Sequence, residues 1–511
     1  MSTRSSVFRA FGAAALMAAL AGCPRQPAAP TPPPPPPPAQ VAALHWDLCR
    51  FDPSKPRPEA KPGDAQCAVL KAPADPSQKN GPATVDIAVV RRLATDQQTK
   101  IGTLVYFPPA MDGSGVDQIL DDPTLAGLEK NFDLVSFNPR GVAGKFEVSA
   151  SSAKAQAFCD KFVLNEAEPV RRAPITTTDQ LEAARSKGSE VYNSCVRISK
   201  VDHFDAMTSA QDVELLRQTL GVEQISLYAH GYGALAAQAY LRTYPSHVRA
   251  TVLDAPVPPS LTAPDFATQL AGAIEGGYQR FAAWCQEDQG CALGKQDAWG
   301  VYSALAAKAG SEAGLVNPAF PDVRLDQPYL NWQIGQLLVK ADYPKLAGYL
   351  KALAGNQPFP DAPKDEIPAN APVQHPTVDF RLCEDLDLKL APGDVAKTAQ
   401  AQAAAAPHFG SSPYANRTLV LCLGFPSPAQ AAPTGAAASP VLVIGGKDDI
   451  RSPYAWSQAV AAQLGGAATF VGVDDGSDEV RLISGGPAAQ ALANFLIALK
   501  APPKDTVYPP N

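Results

Sequence analysis

The sequence contains no Cys-x-x-Cys pair, which argues against a zinc knuckle or a thioredoxin-like redox motif. Positive charge is not in excess either, because 43 Lys and Arg stand against 50 Asp and Glu and give a formal net charge of −7. Such a chain gives no electrostatic reason to expect nucleic acid as a partner. Histidine is scarce, with six in the chain and none after His408. Beyond the N-terminal segment, no apolar run is long enough to span a bilayer.

An export signal opens the chain. Basic residues precede a short apolar run over 11–20, and a Leu-Ala-Gly-Cys tetrapeptide ends at Cys23. This order is typical of a bacterial lipoprotein, in which the signal peptide, here 1–22, is removed and the cysteine thiol is acylated. We therefore expect a cell-envelope protein held in the membrane by a lipid anchor at Cys23 and facing the periplasm or the cell exterior. A plain secretory signal, in which Cys23 has no role, is the alternative.

Residues 23–40 comprise this cysteine and a proline-rich linker that includes an unbroken run of prolines over 32–38. Such a run adopts a stiff polyproline II conformation. We interpret it as a spacer that holds the folded part away from the membrane, with a docking site for a proline-recognising domain as the alternative. Pro24, rather than aspartate, after the lipidated cysteine favours the outer membrane if the envelope is Gram-negative.

Eight cysteines remain after Cys23. An even number in an exported protein predicts disulfide bonds. We expect each cysteine to pair with its neighbour in sequence, because these pairs are local. The expected pairs are Cys49–Cys67, Cys159–Cys195, Cys285–Cys291 and Cys383–Cys422.

Apolar residues make up 46% and charged residues 18% of the chain, so most of it should fold and bury a core. Short β-branched and aromatic runs alternate with helical patterns, which predicts an α/β class with a doubly wound, mostly parallel sheet. The predicted strands are 84–93, 103–107, 133–137, 225–229, 250–253, 441–444 and 468–473. The predicted helices between them are 178–196, 210–220, 234–243, 454–464 and 486–499.

A long segment over 256–438 interrupts this alternation. It is rich in Ala, Leu, Tyr and Pro and has helical stretches at 330–338 and 346–353, so we interpret it as an inserted, mostly helical cap. The core is then divided into a first part over 41–255 and a second part over 439–500, followed by a tail over 501–511.

The segment over 225–245 is predicted to be a strand, a tight turn and a helix, which is the context of the nucleophile elbow in serine hydrolases. The five positions of the G-x-S-x-G pattern hold Ala229-His230-Gly231-Tyr232-Gly233. Further motifs lie before and after this turn in a set order and spacing. They are found at 66–69 with 73–75, at 132–135 with 138–141, at 208–221, at 252–254, at Cys383, at Cys422 with 425–426, and at 440–453. Together they resemble the tripeptidyl-aminopeptidase-like (TAP-like) α/β-hydrolases, related to proline iminopeptidases. The resemblance implies an α/β-hydrolase fold with a cap.

The same resemblance indicates that the catalytic triad is lost. Gly231 occupies the nucleophile position and has no side chain. Only Asp449 survives, in the position of the triad acid. Asp478 stands at or near the position of the base, and a carboxylate cannot replace an imidazole that becomes positively charged. In the loop that resembles the oxyanion loop, Pro109 removes a backbone N–H and Asp112 brings negative charge.

We therefore predict a non-catalytic protein that retains a cleft for a peptide, a small apolar ligand or a protein partner of the envelope, without a cofactor. The alternatives are an active aminopeptidase or esterase that uses unconventional residues and a purely structural assembly factor. Ser114 is expected to be exposed in a loop without a base. The residues expected to line the cleft are His230, Tyr232, Pro109, Ala110 and Asp112.

Several carboxylates fall in loops that should meet above the carboxyl edge of the sheet. With little Lys or Arg nearby, they would suit a hard cation such as Ca²⁺ or a cationic ligand. No EF-hand spacing exists, so we favour solvated loop acids and helix N-caps and predict no metal site. These residues are Asp112, Asp448, Asp449, Asp474, Asp475, Asp478 and Glu479.

Overall fold

The computed structural model describes residues 43–49, 61–77, 83–109, 114–121, 125–140, 142, 173–193, 203–363, 377–426, 434–475 and 485–510. Its strands are β1 (Asp47–Leu48), β2 (Ala65–Pro73), β3 (Thr84–Arg92), β4 (Gly102–Phe107), β5 (Phe132–Phe137), β6 (Ile225–His230), β7 (Val248–Asp254), β8 (Leu315–Val316), β9 (Arg324–Leu325), β10 (Val441–Gly446), β11 (Ala468–Val473) and β12 (Val507–Tyr508).

The α-helices of the described residues fall into a core set and a cap set. Those of the core are α1 (Gly115–Asp121), α2 (Thr178–Val191), α3 (Ala206–Leu220) and α4 (Gly233–Thr243), with α12 (Tyr454–Leu464) and α13 (Gly486–Ala498) near the C-terminus. The cap is defined here as α5 (Ala263–Glu287), α6 (Ala298–Ala309), α7 (Gln327–Val339), α8 (Tyr343–Ala354), α9 (Thr377–Asp385), α10 (Val395–Ala405) and α11 (Pro413–Cys422).

Ten strands form one sheet in the order β1-β2-β3-β5-β4-β6-β7-β10-β11-β12. The pairs β1–β2, β2–β3 and β3–β5 are antiparallel, and the pairs from β5–β4 onward are parallel. Every residue of β5, β6 and β10 is buried, as expected of parallel strands that are covered on both faces. The carboxyl ends of β4, β6 and β10 therefore meet at one edge of the sheet.

Alternation along these strands produces two apolar layers. In β6, Ala229 contributes to the layer against α3, α4 and α12, whereas Tyr228 contributes to the layer against α1 and α13. The second half of α5 forms a further apolar cluster with α6, α7 and α8, rich in aromatic side chains such as Tyr278 and Tyr302, whereas the first half of α5, α9 and α11 pack into the layer of Ala229. Burial of large rings is the main stabilising term for such a helical insertion.

The predicted strands and the α/β class are confirmed, with element ends shifted by a few residues. Helix α3 starts four residues earlier than predicted, because Asp205 accepts a hydrogen bond from the Thr208 N–H and caps it. The antiparallel β2 and the 25-residue α5 were not among the predicted elements. Within the described part of the chain, no helix is long and apolar enough to cross a membrane.

Three of the expected disulfides are confirmed. The bonds join Cys49 to Cys67, Cys285 to Cys291 and Cys383 to Cys422. The expected pair Cys159–Cys195, the proline-rich linker and Cys23 lie outside the described residues.

Candidate active site

The tight turn between β6 and α4 has the geometry of a nucleophile elbow. Its central residue, Gly231, has φ = +54°, in the left-handed region. The Gly231 N–H donates to the carbonyl of Asp254 at 2.8 Å, and the Gly231 carbonyl accepts from the Ala234 N–H at 3.1 Å. Glycine adopts this conformation without the strain of about 1–3 kcal/mol that another residue would carry. The sequence therefore preserves the turn although it omits the side chain.

Two glycines of the turn are required for different reasons. A Cβ on Gly233 would lie 2.1 Å from the carbonyl oxygen of Pro108, so close packing of α4 against the end of β4 excludes a side chain there. A Cβ on Gly231 would lie 3.9 Å from the Cβ of Pro109, which is an ordinary contact. Space alone therefore does not impose glycine at position 231.

His230 belongs to a buried polar group beneath the turn. It is the last residue of β6, is 3% exposed and pairs in register with Asp254 of β7. Alternation places it on the face of Tyr228, whose hydroxyl donates to Asp254 Oδ2 at 2.7 Å. His230 was expected to line the cleft; the structure places it in the buried β6–β7 pair, and it is not among the described residues that border the cavity beside Tyr232.

Of the segment directly after β4, the structure describes Pro108 and Pro109. Pro109 borders the elbow, and as a proline it has no N–H to donate to an oxyanion. Ala110 and Asp112 lie outside the described residues. Tyr232, which follows Gly231, is partly buried and lines the cleft next to Pro108.

The expectation that Ser114 is exposed in a loop is wrong. The residue is 6% exposed and sits at the start of α1. Its hydroxyl donates to Asn138 Oδ1 at 2.7 Å and accepts from the Asp117 N–H at 2.9 Å. Ser114 therefore serves as a helix cap that ties α1 to the end of β5, which is a structural function.

Asp449 lies just beyond the end of β10, at the same edge of the sheet as the elbow. It is 1% exposed, and its Oδ1 accepts from the N–H groups of Arg451 at 2.8 Å and Ser452 at 2.9 Å. This is the location expected for a triad acid. The carboxylate also shapes its own loop. Asp478, at the expected position of the base, lies outside the described residues.

Arg280 of α5 reaches the two acidic loops at this edge. Its guanidinium donates to a carboxylate oxygen of Asp448 and to Asp474, at 3.1 Å to Oδ1 and 2.7 Å to the carbonyl. Burial acts to lower the pKa of Arg280, but the two carboxylates outweigh it and the net shift is upward. Lys447 Nζ lies 3.8 Å from Asp474. The expectation that little Lys or Arg lies near these loop carboxylates is therefore wrong.

The cap helix α5 also packs tightly on the Asp449 loop. A Cβ on Gly277 would lie 2.5 Å from Ile450 Cγ2, so only glycine permits this approach. Arg280, one turn along the helix, completes the attachment to Asp448.

Among the described residues, no group of three His, Cys, Asp or Glu side chains is arranged to hold a metal ion. Asp112, Asp478 and Glu479 lie outside those residues.

Arg140 and Asp212, which belong to the motifs at 138–141 and 208–221, form a buried ion pair. Arg140 donates to both carboxylate oxygens of Asp212, each at 2.8 Å, with side chains 2% and 6% exposed. The same guanidinium donates to the carbonyls of Pro73 and Ala74. It thus joins the end of β5 to α3 and the end of β2.

Arg381 and Asp385 of α9 are a second pair of charged side chains, and they connect α9 to the Arg140 segment and to the start of α3. Asp385 accepts from the Ala206 N–H at 2.6 Å, at the start of α3, and Arg381 donates to the carbonyl of Arg140. Burial raises the pKa of Asp385 well above its usual value and lowers the pKa of Arg381 to about 10. With Tyr232, they border a cavity of about 20 Å³ beside the elbow. That volume holds a water molecule rather than an organic ligand.

A family model described as the alpha/beta hydrolase fold matches residues 124–478. This chain belongs to the α/β-hydrolase family. The serine protease Hip1 of Mycobacterium tuberculosis is 27% identical to it over 261 residues, which cover 50% of this chain and 47% of that protein. The tripeptidyl aminopeptidase of Streptomyces lividans is 27% identical over 296 residues, which cover 55% and 52%. These matches confirm the resemblance to TAP-like α/β-hydrolases.

Other relatives of this α/β-hydrolase include carboxylesterase B of Mycobacterium tuberculosis, 26% identical over 271 residues that cover 51% of this chain and 49% of that protein. The chain thus spans about half the length of the curated relatives it matches. A solved bromoperoxidase from Bacillus anthracis is 12% identical, with a TM-score of 0.33, and covers 84% of this chain and 99% of that chain.

Proposed function

We propose that this α/β-hydrolase is a non-catalytic, lipid-anchored protein of the cell envelope that binds a ligand or partner rather than turning over a substrate. The observation that carries the proposal is Gly231, which holds the elbow conformation at φ = +54° without any side-chain atom. Covalent catalysis by a serine hydrolase begins with attack by a side-chain oxygen. A glycine at that position removes the first step.

The surroundings of the elbow support the same proposal. The sequence has no His after His408 to serve as the base downstream of Asp449. His408 itself lies in the cap beside Glu275, with Nδ1 and Oε1 2.5 Å apart, and His247 lies beside Glu214 at 3.1 Å. Loss of nucleophile and base together leaves no working part of the usual catalytic unit.

A binding role that needs no deep pocket at the elbow is favoured, because the architecture there is closely packed and the described cavity beside Tyr232 has a volume of only about 20 Å³. The cap helix α5 is seated on the Asp449 loop and tied to it by Arg280. The cleft lining that is described is largely apolar, with Phe107, Pro108 and Phe137 beside Tyr232. The relatives named serine protease and tripeptidyl aminopeptidase make a peptide the first ligand to test. A small apolar ligand and an envelope protein are the other candidates.

The catalytic part of the proposal is tested with the full chain. We would incubate it with a fluorophosphonate probe, measure intact mass, and assay p-nitrophenyl esters and Ala- and Pro-p-nitroanilides. Wild type and Gly231→Ser should both give no adduct and no turnover above buffer, since the variant regains an oxygen but not a base. Stoichiometric labelling with turnover by wild type would overturn the proposal, and mapping of the labelled peptide would identify the nucleophile.

The anchor is tested separately. The Leu-Ala-Gly-Cys sequence supports acylation of Cys23, and two or more acyl chains hold a protein stably on a membrane. Wild type should partition into the detergent phase of a phase-separation assay and carry the mass of the lipid on its N-terminal peptide. Cys23→Ser should stay in the aqueous phase. A wild-type protein without added lipid mass would reject the anchor and leave the catalytic part of the proposal unaffected.

A further inference from the structure

One cavity lies apart from the elbow, between the cap and residues 174–176. It has a volume of about 270 Å³, is partly open to solvent, and is lined by α7, α10, the start of α11 and residues 174–176. A cavity of about 10–15 Å³ already accommodates one water molecule, so this one has room for an organic molecule. Gly231, Tyr232 and Pro109 are not among the described residues that line it. It is therefore distinct from the cleft beside the elbow.

One wall of the cavity is apolar and rigid. The ring of Phe409 is 2% exposed and stacks on Tyr302, with ring centroids 4.5 Å apart. Prolines of three different segments, Pro174, Pro328 and Pro413, lie around it. None of the described lining residues is ionisable. The cavity therefore suits an uncharged ligand with an apolar face.

The polar wall includes side-chain amides, two of which, Asn331 and Asn416, are held by hydrogen bonds within the protein. Asn331 accepts from the Tyr302 hydroxyl at 2.8 Å and donates to the Phe409 carbonyl at 3.3 Å. Asn416 donates to the Ser411 hydroxyl at 3.0 Å. These contacts preorganise the wall, because the side chains need no rearrangement to receive a ligand.

Gln402 of α10 differs from its neighbours. It lines the cavity and is 3% exposed, yet its Oε1 has no hydrogen-bond partner among the described residues. A buried amide acceptor without a partner is unfavourable in the protein alone. The atom itself is out of contact with solvent, so a ligand N–H would reach and satisfy it after a change of the Gln402 rotamer toward the cavity.

We propose that this cap cavity is a binding site for an uncharged ligand that presents an amide N–H to Gln402 and an apolar group to Phe409. A short peptide and an N-acetylated sugar both have this chemistry. The site does not depend on the elbow. Its existence and the loss of catalysis are therefore tested independently.

Helix α10 supplies matched variants for the test. Ala403 lines the mouth of the cavity, and Ala404 is its exposed neighbour on the same helix that does not line it. Leucine is almost as good a helix former as alanine, so Ala403→Leu and Ala404→Leu should both fold. Gln402→Met keeps the size of the side chain and removes the amide. If the amide serves a ligand, this variant should keep or raise the Tm of the unliganded protein.

The probes are N-acetyl-Ala-Ala-amide, its fully N-methylated analogue and N-acetylglucosamine, titrated against the full chain by saturation-transfer NMR and calorimetry. For a probe of this size we expect a Kd on the order of 1 mM. Ala403→Leu, Gln402→Met and N-methylation of the peptide should each weaken binding at least about 10-fold. Ala404→Leu should bind like wild type. The probe that binds more tightly, the peptide or the sugar, would identify the class of ligand that supplies the amide N–H.

Two results would overturn this proposal. One is the absence of saturable binding of both amide probes to wild type. The other is binding that Ala403→Leu and Gln402→Met leave unchanged, which would place the ligand elsewhere. A lower Tm of Gln402→Met, with binding retained, would also assign Gln402 a purely structural role. Hydrolysis of esters by wild type would reject the proposed function and leave this site unaffected.

Discussion

Gly231 and Pro109 lie next to each other at the elbow, with room between them for a Cβ atom on Gly231. A Cβ on Gly231 would be 3.9 Å from the Cβ of Pro109, whereas the same addition at Gly233 would collide with the carbonyl of Pro108 at 2.1 Å. Both glycines belong to one turn, but packing requires only Gly233. The glycine at position 231 is explained by its backbone conformation, with φ = +54°.

The first prediction compares these two positions. Gly231→Ala should lower the free energy of unfolding by about 1–3 kcal/mol, the usual cost of a non-glycine residue in the left-handed region. Gly233→Ala should cost about 3 kcal/mol or more, because α4 must move away from β4. Urea denaturation of both variants measures the difference. Equal losses, or a larger loss at position 231, would show that the elbow packs differently from the structure described here.

The second prediction concerns the attachment of the cap. Arg280→Met keeps the aliphatic part of the side chain and removes its hydrogen bonds to Asp448 and Asp474. About a third of the side chain is exposed, so the loss of stability should be only about 1 kcal/mol. Hydrogen exchange of the backbone over 447–452 should nevertheless become faster, since α5 no longer holds this loop.

Lys447→Met is the matched control for that variant. Its ammonium lies 3.8 Å from Asp474 and is 41% exposed, so its removal should change stability by less than about 0.5 kcal/mol and leave exchange unchanged. If Lys447→Met accelerated exchange as much as Arg280→Met did, the general charge of the loops, rather than the tie to α5, would be responsible.

The sheet and the elbow were predictable because their signals are local. Apolar runs such as that of β6 identify buried strands, and the glycine-containing turn before α4 identifies the elbow. Pairing of near neighbours also predicted the bond between Cys383 and Cys422. The strands and the elbow depend on a pattern within one or two adjacent elements, and the disulfide follows from the order of the cysteines along the chain.

The remaining features depend on residues that only the fold brings together. Arg280 meets Asp448 across 168 positions of sequence, which no local pattern indicates. Ser114 was predicted to be exposed in a loop without a base. Its partner Asn138 lies at the end of another strand, and that contact buries it. Gln402 gave no sequence signal, since a glutamine in an alanine-rich helix is ordinarily a surface residue.

The third prediction follows from Glu214 on α3. Burial acts to raise its pKa, but hydrogen bonds from Arg217, Gln218 and Tyr240 outweigh it and lower the pKa from 4.5 to about 2. A carboxyl whose pKa is lower in the folded state stabilises the protein above pH 4.5, and this contribution is lost as the pH falls from 4.5 toward 2. Glu214→Gln should therefore cost about 1–3 kcal/mol at pH 7 and progressively less toward pH 2.

Thermal unfolding of wild type and Glu214→Gln from pH 7 to pH 2 measures that difference. Comparison with the variant removes contributions from other groups, such as Asp385, that titrate identically in both proteins. A constant difference across the whole range would mean that the glutamate contributes through packing and not through its charge.

The fourth prediction ranks two disulfides by the length of chain that they close. Cys383–Cys422 spans 39 positions and Cys285–Cys291 spans 6. All four cysteines are buried, so replacement of each pair by alanine removes similar side-chain contacts. Loop-closure entropy then gives losses of about 4 kcal/mol for the long loop and about 2 kcal/mol for the short one. Urea denaturation of the two double variants at pH 7 measures both, and the opposite ranking would show that native-state contacts outweigh the constraint on the unfolded chain.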